Sequence, residues 1–227
     1  FSTLGWPVGV KHLVPLCQGL DPNSNHDVTI LKSTEAQWNS LRPLPNHVSF
    51  HKFLGSRDFR MLAAPKQRER KLEFLGDSIT AGYCNMCDLQ IVPQTENFAL
   101  SWSKLVCDAF GAECHVAAWS GFGMVKSCCG GETVMSDVWL RTLASTPSGN
   151  ASDPHGTTAE NRWSFKKWKP DALIINLGTN DKLSTRGDRL IPEYNRTYLD
   201  LVKSAAAAYG AEIHFFLACG PMADDYC

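Results

Sequence analysis

Leu72-Glu-Phe-Leu-Gly-Asp-Ser-Ile-Thr-Ala-Gly-Tyr83 decides the reading of this chain. Its first four residues read as a short strand ending at Gly76. Asp77 and Ser78 then stand where a helix beginning near Ile79 needs an acceptor for its free N–H groups. Taken alone, Gly76-Asp77-Ser78 is a helix cap. Its meaning depends on what the rest of the chain places beside it.

Outward from this stretch, strands and helices alternate. Phe98, Trp102, Leu105, Val106 and Ala109 fall on one face of a helix. His115-Val-Ala-Ala118 reads as a second strand and Ala172-Leu-Ile-Ile-Asn-Leu177 as a third, continuously apolar because both faces are covered. Tyr194, Tyr198, Leu201, Val202, Ala205 and Tyr209 repeat the helical spacing before a fourth strand, Ile213-His-Phe-Phe-Leu-Ala218. The stretch from 126 to 165 reads as loop. This alternation predicts an α/β fold, a doubly wound parallel sheet of flavodoxin-like type, over residues 71–227. Before it, residues 1–70 are rich in Pro, Asn, Ser and Gly, with short apolar runs at Val28-Thr29-Ile30-Leu31 and Val48-Ser49-Phe50. They read as a small β unit. Lys66-Gln-Arg-Glu-Arg-Lys71 mixes both charge signs and reads as a solvated linker, not a nucleic-acid patch.

Bulk properties narrow the class. The 227 residues are 44% hydrophobic, enough for one good core, and carry a formal net charge of −1. No large field invites nucleic acid, and no apolar run approaches the roughly 18–20 residues of a membrane span. The first residue is Phe and the last Cys227, so both ends read as cut. Nine cysteines, with the sequons Asn150-Ala-Ser152 and Asn195-Arg-Thr197, favour a secreted or extracellular, disulfide-bearing protein. Cys84-Asn-Met-Cys87 is compatible with a disulfide loop, a redox pair or half of a metal site. A structural zinc site needs a second closely spaced pair, and adjacent Cys128 and Cys129 supply that poorly. No metal and no cofactor is expected.

In doubly wound sheets, ligands sit at the carboxyl ends of the strands. Here those ends carry Gly76-Asp77-Ser78, Ser120-Gly121-Phe122-Gly123 and Gly178-Thr179-Asn180-Asp181. Each suits acyl transfer. Ser78 is the candidate nucleophile, at a helix start where N–H groups favour developing negative charge. Gly121 lets a carbonyl oxygen approach its N–H, and Asn180 adds a side-chain amide donor. Each motif alone is an ordinary cap or turn; three after successive strands point to an active site.

These blocks resemble those of the SGNH (GDSL) hydrolases, in which the serine is the nucleophile and the glycine and asparagine complete an oxyanion hole. Glu96-Asn-Phe-Ala-Leu-Ser-Trp102, Val116-Ala-Ala-Trp-Ser-Gly-Phe-Gly-Met124 and Trp168-Lys-Pro-Asp-Ala-Leu-Ile-Ile-Asn-Leu-Gly-Thr-Asn-Asp181 resemble carbohydrate esterase family two, the acetyl xylan esterase-like group. The resemblance covers about residues 25–222. It implies removal of acetyl groups from a polysaccharide or oligosaccharide, with part of a β jelly-roll domain, similar to Val28–Ala36 and the run to Ala64, before the hydrolase domain. A lipid or thioester acyl hydrolase and a non-catalytic carbohydrate-binding protein are the rival readings.

Two departures stand out. Cys84 replaces a usual glycine, and the fourth block, whose histidine is the general base, has no match. The general-base His is not found in this chain, which is expected to be a fragment truncated before it. Of the seven histidines, His115 and His214 read as core-strand residues. His12, His26, His47 and His51 fall in the β segment, and His155 lies in a loop. Trp102 reads as core; Trp119 is either packing or a wall for a sugar ring.

Overall fold

The computed structural model describes residues 11–35, 50–88, 95–129, 133–142, 162–185, 191–220 and 222. The chain divides into two compact units, 1–32 and 33–227.

In the second unit, β1 (Lys71–Asp77) leads directly into α1 (Ser78–Ala81). A 3-10 turn (Phe98–Leu100) precedes α2 (Trp102–Ala109), followed by β2 (Glu113–Trp119) and α3 (Met135–Val138). Then come β3 (Ala172–Leu177), α4 (Thr179–Thr185), α5 (Ile191–Tyr209) and β4 (His214–Cys219). The four strands form one parallel sheet in the order β2-β1-β3-β4. That is the flavodoxin-like order, and its reversal of direction lies between β1 and β3. All four expected strands form: β1 and β2 are each three residues longer than expected, β3 has the expected bounds, and β4 is shifted by one residue.

Alternation along β1 sends Leu75 to one face and Phe74 to the other. Leu75 joins Leu173, Ile175, Leu177, Tyr194, Leu201, Ala205 and Tyr209 in a core beneath α5. Phe74 meets Trp102 of α2 edge-on, with ring centroids 5.2 Å apart. Helices therefore cover both faces, and burying each such side chain stabilises the fold by about 1.5–3 kcal/mol. The helix α5 stops where Gly210 turns left-handed (φ 99°) and returns its N–H to the Ala206 carbonyl at 2.8 Å.

Several expectations need correction. The inward face of α2 is rotated from the apolar stripe: Ser103 and Cys107 are buried, while Leu105 is 54% exposed. Two tertiary ties explain this. Cys107 is bonded to Cys114 at the start of β2, and the Ser103 hydroxyl donates to the Thr80 carbonyl at 3.1 Å. The strand β4 is an edge strand among the described residues, so His214, Phe216 and Leu217 are exposed rather than core. The stretch expected to be loop contains α3 and an isolated antiparallel bridge between Arg141 and Arg162.

Among the described residues of 11–70 no strand forms, and Val28, Ile30 and Leu31 are exposed. A strand satisfies its backbone groups only against a neighbour, and these residues have none among those described. Val48 and Ser49 lie outside the described residues, as do the Asn150 sequon, His47 and His155. The mixed-charge segment before β1 is exposed, as a solvated linker should be. It is also tied down: Arg68 and Arg70 donate to the carbonyls of Ala112 and Phe110 at 2.9 and 3.0 Å.

Candidate active site

Strand register assembles the site. Asp77 pairs with Trp119 and Gly76 with Asn176, so the three chain segments leave the sheet side by side, about 4.8 Å apart per strand. Ser78, Ser120-Gly121 and Thr179-Asn180-Asp181 thus share the crevice where the strand order reverses.

At β1, the chain passes from strand to helix without a linker. The Asp77 carboxylate caps α1, accepting from the Ile79 N–H at 2.9 Å. Because α1 is only four residues long, its individual N–H groups matter more than any macrodipole. Asp77 is fully buried, and burial pushes its carboxyl up to about 6; the Ile79 bond opposes this, while the charges of Asp181 and Glu35 add to it. Ser78 is half-buried and its hydroxyl forms no hydrogen bond among the described residues.

At β2, the chain turns sharply. Phe122 N–H returns to the Trp119 carbonyl at 3.2 Å, with Gly121 at φ 83° in the third position. A type II turn requires positive φ there. The Gly121 N–H is left without a partner among the described residues. Gly123 is required by closeness: a Cβ there would lie 2.1 Å from the Lys126 carbonyl oxygen and 2.7 Å from Asp181 Oδ2.

At β3, α4 brings in two side chains with different tasks. Asp181, fully buried, accepts the N–H groups of Met124, Val125 and Lys126 at 2.8, 2.7 and 2.8 Å. It folds the loop after β2 onto α4. Asn180 Nδ2 donates to the Phe122 carbonyl at 2.8 Å and points towards Asp77 Oδ2 at 3.4 Å. The first is a good bond; the second is long, leaving one amide hydrogen weakly held.

The described histidines do not join this cluster. His115 pairs with Glu73, five residues before Ser78, which places it about 16 Å back along the sheet. It stacks on Trp168, centroids 3.7 Å apart, and burial lowers its pKa. His214 pairs with Ala172, still nearer the opposite end. His12, His26 and His51 are exposed. Trp119 packs against the core and against Phe122, centroids 5.4 Å apart. Cys84 is bonded to Cys87 in the loop after α1, and Cys128 to Cys129 beside Gly121. No group of three or more metal-ligating side chains gathers among the described residues.

No family model matches the chain. Relatives do. The cellulase/esterase CelE of Acetivibrio thermocellus is 32% identical over 217 residues, 92% of this chain and 23% of that protein. The acetylxylan esterase / glucomannan deacetylase of Cellvibrio japonicus is 31% identical over 191 residues, 78% of this chain and 48% of that protein. The solved family two carbohydrate esterase from Clostridium thermocellum, in complex with cellohexaose, superposes with a TM-score of 0.60 at 31% identity, covering 71% of this chain and 46% of that one. The chain is homologous to the family two carbohydrate esterases. It spans about half or less of the length of these relatives.

In this esterase homologue, the three residues singled out from sequence come together at one crevice. Sequence reasoning gave no role to Asp181, although it named the block containing it. It gave none to Glu35 either, although the run Val28–Ala36 contains it. The Glu35 carboxylate accepts the Ser120 N–H at 2.6 Å from 85 residues away, and no local pattern signals such a contact.

Proposed function

We propose that this crevice is the active site of a serine esterase that removes acetyl groups from carbohydrate. Ser78 Oγ attacks the acetyl carbonyl carbon, and its proton passes to a histidine base. The carbonyl oxygen becomes an oxyanion, held by the N–H groups of Ser78 and Gly121 and by the second Asn180 amide hydrogen. The base then protonates the departing sugar oxygen, leaving acetyl-Ser78. Water attacks this acyl-enzyme, giving up its proton to the same base, and acetate leaves with Ser78 restored. The base lies outside the described residues; an Asp-x-x-His in sequence beyond Cys227 would meet the need.

One observation carries this reading. A half-buried serine hydroxyl and a glycine N–H, both unbonded among the described residues, emerge from adjacent strand ends beside a weakly held amide. The cellohexaose on the similar structure supports a polysaccharide or oligosaccharide substrate. The disulfides Cys84–Cys87, Cys107–Cys114 and Cys128–Cys129 support secretion. The short runs before residue 70 fit a partial β jelly-roll domain that is completed elsewhere.

The test uses the full-length protein on acetylated xylan and on aryl esters of increasing acyl length. Ser78→Ala should lower acetyl-ester turnover by 10³-fold or more and abolish fluorophosphonate labelling, with unfolding behaviour unchanged. Retained turnover sinks the assignment of Ser78. Preference for long acyl chains would make it a lipid or thioester hydrolase. Failure of both labelling and turnover in the wild type would leave a carbohydrate-binding protein.

A further inference from the structure

The Gly121 N–H can serve an oxyanion only if its peptide plane points the right way. That plane lies between two clamps. On one side, the Gly121 carbonyl accepts the Cys128 N–H at 2.8 Å. On the other, the Ser120 N–H donates to Glu35 Oε2 at 2.6 Å. Glu35 is fixed in turn by the opposite flank of the site. Its own N–H donates to Glu96 Oε1 at 2.6 Å, and two residues earlier the Ser33 carbonyl accepts the Phe98 N–H at 2.8 Å. Glu96 is 3% exposed. The strut therefore runs from a buried carboxylate before α2, through the 33–35 segment, to the turn after β2.

From these contacts we propose that Glu35 is a positioning residue for the oxyanion hole. Its carboxylate holds the Trp119–Phe122 turn in the one orientation that aims the Gly121 N–H at the reacting carbonyl. Hydrogen bonds to a charged acceptor are shorter and stronger than neutral ones, which suits a strut that must not swing. A flexible Gly121 needs such a strut, since glycine itself resists rotation of its flanking peptides least. Segment 33–35 falls within the run that resembles the end of the jelly-roll domain, so the site draws on residues outside the three sequence blocks. Glu35 touches neither substrate nor Ser78 in this role.

The inference rests on the esterase reading, and the experiment separates the two. Full-length wild type, Ser78→Ala, Glu35→Ala, Glu35→Gln and Glu35→Asp are compared on 4-nitrophenyl acetate, with urea unfolding of each. Loss of turnover in Ser78→Ala establishes the esterase reading independently of Glu35. Glu35→Ala should then lower kcat by about 10–100-fold, below the roughly 10²–10³-fold for removing an oxyanion donor outright, with KM changed less than about twofold. Glu35→Gln, which retains an acceptor oxygen at the same reach, should restore kcat to within about threefold of wild type. Wild-type kcat in Glu35→Ala overturns the proposal. So does an equal loss in Glu35→Gln, or a loss that appears only in KM. If Glu35→Ala does not fold, Glu35→Asp decides: its carboxylate is withdrawn by one methylene, so kcat should fall at least about fivefold at unchanged KM. Wild-type kcat there overturns it too.

Discussion

Glu73 and Asp77 sit four residues apart on β1 and face the same side of the sheet. Both are buried, at 7% and 0% exposure, and burial raises both carboxyls, Glu73 to about 7 and Asp77 to about 6. Their surroundings differ for one reason. In the middle of the strand, the ladders to β2 and β3 consume the neighbouring backbone N–H groups. Glu73 is left facing the Tyr209 hydroxyl, and neither Glu73 Oε2 nor that hydroxyl makes a hydrogen bond among the described residues. At the strand end the ladders stop, and freed N–H groups turn towards acceptors. Asp77 caps Ile79 there, and Asp181, after β3, takes three N–H groups at once. Buried carboxylates are therefore well served where backbone donors run out of partners, and poorly served four residues earlier.

The largest effect should come from the best-served group. Asp181→Ala strands three backbone donors and should destabilise the fold by about 4 kcal/mol, measured as a shift of the urea midpoint. A cost under about 1 kcal/mol would break the contrast. Glu73 should show the opposite sign. Its proton is held more tightly folded than unfolded, so the native state binds more protons between the ordinary pKa of 4.5 and about 7. Stability is then greatest at the acid end of that window and falls by about 3 kcal/mol as pH rises through it. Glu73→Gln should remove the slope between about pH 6 and 7, leaving below it the part that Asp77 contributes, and unfold at higher urea than wild type at pH 8. A wild-type slope retained in Glu73→Gln would assign the effect elsewhere. Gly121→Ala tests the smallest effect, the turn that directs a freed donor. A left-handed alanine, with its Cβ 3.3 Å from Cys128 Sγ, should cost about 1–2 kcal/mol in urea unfolding. No loss would mean that the turn adopts another shape without strain.

Much of this was legible in the order of residues. A parallel sheet follows from apolar runs separated by helical spacing, and the site follows from reading what comes after each run. Edge and face were not legible. Leu105 and Cys107 are both apolar, and tertiary ties, the bond from Cys107 to Cys114 and that from Ser103 to the Thr80 carbonyl, turn the cysteine inward and the leucine out. Phe215, Phe216 and Leu217 stand together in one apolar run, yet Phe215 packs against the core while Phe216 and Leu217 are exposed on a strand with no described neighbour beyond it. The isolated runs before residue 70 showed the same dependence.

The sequence by itself determined that this chain forms an α/β sheet whose strand ends carry Ser78, Gly121 and Asn180. Periodicity and turn chemistry are local, so they survive in a one-dimensional record. The tertiary structure alone decided how those residues are held. Strand order puts Asp77 beside Trp119, Asp181 gathers the loop after β2, and Glu35 reaches Ser120 across 85 residues. Hydrogen bonds between residues so far apart in the chain depend on the whole fold closing, and no local pattern encodes them.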